Sequence, residues 1–178
     1  MRGKGADVAR TPDNDRDLSL YRPNVGLTLF NARGEVFYGR RISAGLEANS
    51  EYQWQFPQGG IDKGETPAEA AMRELEEEIG VREDLVDILE ETDGWIFYDF
   101  PADVRRRLRT ERFIGQRQKW FALRFRGDDR DIHLDRHTPE FGGWRWGRLS
   151  EAPDLIIPFK RAVYEEVVRR FARFGKSV

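Results

Sequence analysis

The stretch from Gly59 to Val81, GGIDKGETPAEAAMRELEEEIGV, constrains this chain more than any other because it carries its own start and stop signals. Thr66 suits an N-cap, Pro67 the first helical position, and Glu69 completes a Thr-x-x-Glu capping box. Gly80 supplies the stop. A helix is therefore expected behind a tight glycine loop. Gly59 is read as a position of positive φ or of close backbone approach, which a β-branched residue would block. Ala68, Ala71, Met72, Leu75 and Ile79 form the apolar stripe expected to face the core. Glu74, Glu77 and Glu78 fall at i, i+3 and i+4, so their carboxylates share one face, with Glu78 bordering the stripe. Three like charges this close repel, and partial burial worsens the repulsion. Hard divalent cations among the oxygens would reverse the sign, and Mg²⁺ is the usual partner of carboxylates beside phosphates. Read alone, RELEEE also suits a solvated surface helix.

At 178 residues, with 39% hydrophobic and 12% aromatic content, the chain suits one globular domain with a sizeable core. Residues 1–19 are polar and aperiodic and are expected to be a disordered tail, leaving 20–178 as the domain. Neither an 18-residue apolar run nor an apolar secretory segment is seen, so no membrane association is expected. The chain has no cysteine, which rules out disulfides and thiolate chemistry and accords with a cytoplasmic location. Two histidines exclude a multi-histidine metal site. The net charge of −2 conceals an asymmetry: residues 47–91 carry 14 Asp/Glu against 3 Lys/Arg, and residues 101–126 carry 9 Lys/Arg against 2 Asp/Glu. The basic block suits a polyanion such as polyphosphate or RNA, although RRRLR at 105–109 equally suits a solvated surface.

Along the chain, Asn24–Phe30 and Glu35–Arg41 read as strands joined by a turn, and Trp54–Phe56 as a short strand feeding the glycine loop. Residues 43–53 read as an exposed loop. Leu85–Glu90, Trp95–Phe100, Gln116–Arg126 and Gly143–Leu149 read as further strands, and Pro101–Arg109 as a short basic helix. Pro158 opens a last helix with Ala162, Val163, Val167 and Phe171 expected on its buried side. The order of elements predicts an α/β fold, a mixed sheet covered by helices.

The central stretch matches Gly-x5-Glu-x7-Arg-Glu-U-x-Glu-Glu-x-Gly-U, with U aliphatic, through Gly59, Glu65, Arg73, Glu74, Leu75, Glu77, Glu78, Gly80 and Val81. This is the Nudix box, and the chain resembles Nudix hydrolases, which implies the Nudix fold of a mixed β-sheet sandwiched between α-helices. Further segments resemble one branch of that family: YRPNVG, WQFPQGGID, GQRQKWF, PEFGGWRW, and FKR with VYEEV, spanning residues 21–174. That branch contains bacterial RNA 5′ pyrophosphohydrolases, the invasion-associated protein A and plant dinucleoside polyphosphate hydrolases. WIFYDFPADVRRRL looks closer to the plant enzymes, and the 43–53 loop is longer than in the enterobacterial type.

The resemblance implies Glu74, Glu77 and Glu78 as ligands of Mg²⁺, or of Mn²⁺ or Zn²⁺ in its place, with a backbone carbonyl near Gln58 and Gly59 beside them. Glu140 in PEFGGW matches a further glutamate supplied by a distant loop; read without the resemblance it is an ordinary loop acid. Glu77, Glu78 and Glu140 all stand open as the general base. Arg73 is read as structural, holding Glu65. Arg22, Arg41, Gln58 and Lys119 are implied to contact 5′ phosphates or to orient the glutamates, with plain surface charge as the alternative. Phe159 and Lys160 match a pair that stacks on and contacts a base near the RNA 5′ end, and Tyr98 is either the other wall or core. Trp54, Trp120, Trp144 and Trp146 are read as core. The implied activity is removal of pyrophosphate, or of successive phosphates, from a 5′-triphosphate or diphosphate RNA end. Its rivals are asymmetric dinucleoside polyphosphate hydrolysis and a non-catalytic binding module.

Overall fold

The computed structural model describes residues 16–42, 52–108 and 112–177. Among them, one mixed sheet is built from β1 (Tyr21–Phe30), β2 (Val36–Arg41), β3 (Trp54–Gln55), β4 (Gln58–Gly60), β5 (Val86–Glu91), β6 (Ile96–Asp99), β7 (Gly115–Phe125) and β8 (Phe141–Gly147). Its helices are α1 (Pro67–Ile79), α2 (Ala102–Leu108), α3 (Ala152–Leu155) and α4 (Arg161–Phe171).

The parallel pair β1–β7 is the spine, in register from Tyr21↔Gly115 to Phe30↔Arg124. Alternate residues of a strand face opposite sides. Val25, Leu27 and Leu29 with Phe121, Leu123 and Phe125 therefore fill one core cluster, together with Leu75 and Ile79 of α1. Phe30 with Trp120 and Ala122 fills the other, together with Val163, Tyr164 and Val167 of α4. Burial on both faces explains why these strands read as nearly continuous apolar runs. The result is the expected mixed sheet between helices.

Several details differ from the sequence reading. β1 starts three residues before Asn24, because Tyr21 to Pro23 also pair with β7. Leu85 ends a 3-10 turn rather than opening a strand. The pairing of β5 and β6, which the sequence left open, is with β7: both run antiparallel to it, one after the other along the same strand. Ala162 is exposed, and Tyr164 takes its place on the buried side of α4. Tyr164 stacks on Phe56 with ring centroids 5.1 Å apart, and its hydroxyl accepts from the Phe56 backbone N–H. Residues 1–15 of the expected tail, 43–51 of the expected loop and Arg109 of the basic run lie outside the described residues. The end of the tail is described: Leu18–Leu20 form a 3-10 turn capped by Asp17. No helix among the described residues is long and apolar enough to cross a membrane.

Candidate active site

The glycine loop is itself a strand. β4 pairs antiparallel with β1 through Asn24↔Gly60, Val25↔Gly59 and Gly26↔Gln58, which carries it against α1. Helix α1 begins and ends on local chemistry. The Thr66 side chain accepts from the Glu69 N–H, Glu69 accepts from the Thr66 N–H at 2.8 Å, and Gly80 closes the helix at φ 68°. Gly64 and Gly80 adopt positive φ, but Gly59 does not, so of the two grounds read from the sequence it is close approach that holds there. Glycine is required at 59 for space alone, because any Cβ there would overlap the Glu74 carboxylate.

The three helix carboxylates do not share one environment. Glu74 and Glu78 are buried at 9% and 3% exposure, whereas Glu77 is exposed. The Gln58 backbone N–H donates to Glu78 Oε2 at 3.1 Å, and Glu78 Oε1 is buried with no hydrogen-bond partner. Burial pushes the Glu78 carboxyl well above the ordinary glutamate range, and the neighbouring charges of Glu140 and Glu74 push it further. Burial also raises Glu74, against the pull of Arg73. Glu140 sits just before β8, where its carbonyl accepts from the Ile42 N–H at 2.8 Å. Loop 126–140 and the start of β8 thus deliver a fourth carboxylate beside Glu78.

Arg73 ties the loop to the helix. Its guanidinium donates to both Glu65 oxygens at 2.8 and 2.9 Å, to the Gly60 carbonyl at 2.8 Å, to Glu74 at 2.7 Å and to Glu77 at 3.1 Å. Glu65 is held below the ordinary glutamate range mainly by this pairing. Among the described residues, no three acidic, histidine or cysteine side chains already stand at the spacing of a metal cage. The donor set still fits a hard cation: it consists of carboxylate oxygens, two of its carboxylates are buried and raised, and one buried oxygen has no protein donor.

The remaining expected residues divide between the two sides of the sheet. Arg22 is exposed and lies against Gly60, its Nη2 2.7 Å from where a Cβ would stand. Arg41 is half-buried at the end of β2. Lys119 is committed to the chain: its Nζ donates to the Thr92 and Asp93 carbonyls at 2.7 and 2.9 Å and lies 3.5 Å from Glu91. On the face opposite Lys119, and on the side that the register gives Arg22, Tyr98, Phe159 and Lys160 form a group. The Tyr98 and Phe159 rings are 5.9 Å apart, and Lys160 Nζ is 5.9 Å from the Tyr98 ring. Phe159 is half-exposed, while Tyr98 and Lys160 are buried. Trp120 is fully buried, and Trp54, Trp144 and Trp146 pack against the two clusters from partly buried positions.

An amide network was missed. Trp120 Nε1–H donates to Gln118 Oε1 at 3.1 Å, and the Gln118 side-chain amide donates to Asn24 at 2.8 Å and to Gln58 and Gln116 at 3.3 Å. It links Gln58, beside Glu78, to Gln116, which pairs with Tyr98. The available signal was two polar residues, Asn24 and Gln118, at strand positions where burial is expected.

A mixed sheet carrying a capped carboxylate helix over a glycine strand defines a class of hydrolase folds built around one loop–helix unit. The chain belongs to the NUDIX family: the NUDIX domain model matches residues 20–170. It is 54% identical over 155 residues to an RNA pyrophosphohydrolase of Rhodospirillum rubrum, covering 87% of this chain and 89% of that one. It is 52% identical over 158 residues to an RNA pyrophosphohydrolase of Acidiphilium cryptum, covering 88% and 93%. Among solved structures, it resembles the E. coli dihydroneopterin triphosphate pyrophosphohydrolase with a TM-score of 0.63 at 19% identity, covering 85% of this chain and 99% of that one. A C. elegans Ap4A hydrolase complex matches with a TM-score of 0.58 at 20% identity, covering 85% and 96%. At those identities the structural likeness speaks for the fold.

Proposed function

We propose that this chain is a Mg²⁺-dependent RNA 5′ pyrophosphohydrolase, releasing pyrophosphate or successive phosphates from a 5′-triphosphate or diphosphate end and leaving a 5′-monophosphate. The observation that carries the reading is identity above 50% to RNA pyrophosphohydrolases over nearly the whole of both chains. The geometry supports it, with Glu74, Glu78 and Glu140 converging on one end of the glycine strand.

Glu74, Glu77, Glu78 and Glu140 are assigned as the residues that would hold Mg²⁺. When bound, the metal supplies positive charge to polarise the anhydride and acidify water. The chain supplies position and proton handling. Gly59 leaves room for Glu74, the Gln58 N–H orients Glu78, and Arg73 locks loop to helix through Glu65 and the Gly60 carbonyl. Glu78, raised by burial and by the Glu140 charge beside it, is assigned with Glu140 as the acceptor for the proton of the attacking water. Arg22, Arg41 and Gln58 are assigned to the phosphates. Lys119 is assigned there through its remaining proton, and Tyr98, Phe159 and Lys160 to a base near the 5′ end. The lack of cysteine accords with work in the reducing cytoplasm.

The test is a side-by-side measurement of kcat/KM on triphosphorylated RNA and on diadenosine tetraphosphate, with Mg²⁺ and with chelator. Mg²⁺-dependent release that favours RNA is expected. A preference for the dinucleotide would assign the chain to asymmetric dinucleoside polyphosphate hydrolysis. Binding without release would make it a non-catalytic module.

A further inference from the structure

Alternate residues of β6 and β7 place Phe97 and Arg117 opposite one another on the α1 side of the sheet. Trp95 and Lys119 extend the same alternation by one step. Cations and aromatic rings interleave along this face. The Arg117 guanidinium lies 4.7 Å from the Trp95 ring centroid, and Lys119 Nζ is 5.8 Å from the same ring. Further along, the Arg16 guanidinium lies 4.9 Å from the Phe97 ring and 5.4 Å from Tyr21. Trp95 and Phe97 are half-exposed and belong to neither core cluster.

Packing alone accounts for a cation on an aromatic ring, and Arg16 is of that kind, because it also donates to the Tyr21 hydroxyl at 2.8 Å. Arg117 is different. Its Nε is buried with no hydrogen-bond partner, and among the described residues its guanidinium makes neither a hydrogen bond nor an ion pair. One donor of the five-donor fork, the Nε–H, is thus buried over an indole without a partner, while the half-exposed guanidinium keeps its Nη donors open to an incoming acceptor. That arrangement costs free energy unless an acceptor arrives from outside.

The register fixes where the strip begins. Val25 is paired with Gly59 on one side and Lys119 on the other, so Lys119 lies in the same row as the catalytic glycine, two strands away. At the usual inter-strand spacing this is about 10 Å. Gly59 faces Glu74, so the strip and the carboxylate helix occupy the same face. The strip starts beside the reaction centre and leads away from it along β7. Helix α2, which follows β6 in the chain, carries exposed Arg105 and Arg106.

We propose that the Trp95–Arg117 strip is a docking track for single-stranded RNA downstream of the 5′ end, with Arg117 taking a backbone phosphate and Trp95 a base. Cationic side chains alternating with aromatic rings are how single strands are held without sequence preference. This inference rests on the RNA reading above and adds a length dependence to it. It is distinct from the Tyr98–Phe159–Lys160 group, which lies on the other face.

The test uses the full chain with Mg²⁺ and two 5′-triphosphorylated RNAs of shared 5′ sequence, a dinucleotide and a dodecamer. Arg117→Met keeps the apolar stem on the indole and removes the fork. It is expected to raise KM for the dodecamer about tenfold with kcat unchanged, to leave the dinucleotide unaffected, and to lower the salt slope for the dodecamer by about one. Trp95→Ala is expected to raise dodecamer KM by 5-fold or more, and Trp95→Tyr to restore most of it. An equal KM rise on both RNAs would overturn the proposal and make the pair structural or part of the phosphate site. No change on either RNA would overturn it as well. A wild-type enzyme that cleaves both RNAs with the same KM would sink the track while leaving the RNA reading intact. A wild-type enzyme that cleaves neither RNA would sink both.

Discussion

The Glu74 carboxylate occupies the space that a side chain on Gly59 would need, so the carboxylate helix and the glycine strand are in contact at a point where only hydrogen fits. Because Gly59 has no positive φ, this is a constraint of packing and not of backbone strain. Gly59→Ala is expected to displace Glu74, lower kcat about a hundredfold and cost roughly 1–3 kcal/mol of stability, as overpacking does. Gly64→Ala is the control, since no atom lies near its missing Cβ. It carries only the cost of a positive φ. Turnover and thermal melts of both variants check the contrast, and a fully active Gly59→Ala enzyme would contradict it.

Glu78→Gln and Glu77→Gln each remove a hard anionic oxygen while keeping size and helix propensity. Each is expected to lose about a hundredfold or more in kcat at saturating Mg²⁺, a few kcal/mol of transition-state stabilisation. Steady-state rates across a Mg²⁺ series check this, and near wild-type turnover by both would remove the metal assignment.

The same Glu78→Gln change has an opposite effect on stability in chelator. The folded-state pKa of Glu78 is raised, chiefly by burial and then by Glu140 and Glu74, so the folded protein binds a proton more tightly than the unfolded chain does. Its contribution is favourable below the ordinary value of 4.5 and is lost as pH climbs towards the raised folded value. Well above that ordinary value, keeping this buried carboxyl in the folded protein is therefore a net cost. Glu78→Gln should melt higher than wild type at pH 7, and the gain should shrink as pH falls to 4.5. Melting curves that separate by the same amount at both values would rule out the assignment.

Arg73 holds five acceptors on four residues, and three of its partners are carboxylates. Arg73→Met should free Glu65 and the Gly60 carbonyl and cost about 2 kcal/mol, a figure kept low because the side chain is 28% exposed. Arg73→Lys cannot reproduce the fork and should recover less than half of that. Chemical denaturation of the three proteins measures it; equal stability would mean the clamp is incidental.

Phe159→Ala should lower kcat/KM on RNA by roughly 5- to 150-fold, the worth of one base–aromatic stack. A mononucleotide triphosphate should hardly respond. Matching losses on both at fixed salt would instead assign Phe159 to packing against Tyr98, whose ring centroid is 5.9 Å away.

What the sequence determined by itself was local. The Thr66–Glu69 capping box and the Gly80 stop lie within one helix, so spacing alone announced them, and the Glu65–Arg73 pairing read beside the resemblance is nearly as local. The strands β1 and β7 were legible too, because burial on both faces leaves them few polar positions. Tertiary structure decided the rest. Glu77 and Glu78 are neighbours in a string of like residues, yet one is exposed and the other buried, and only the approach of β4 against α1 separates them. Glu140 reaches Glu78 because β8 pairs with β2, and Lys119 is held by carbonyls 26 and 27 residues away in the chain. Arg117 meets Trp95 because β6 returns along β7 and not along β5. Local hydrogen bonds are encoded by neighbours, whereas burial and the company of charges are set by which distant strands share the sheet.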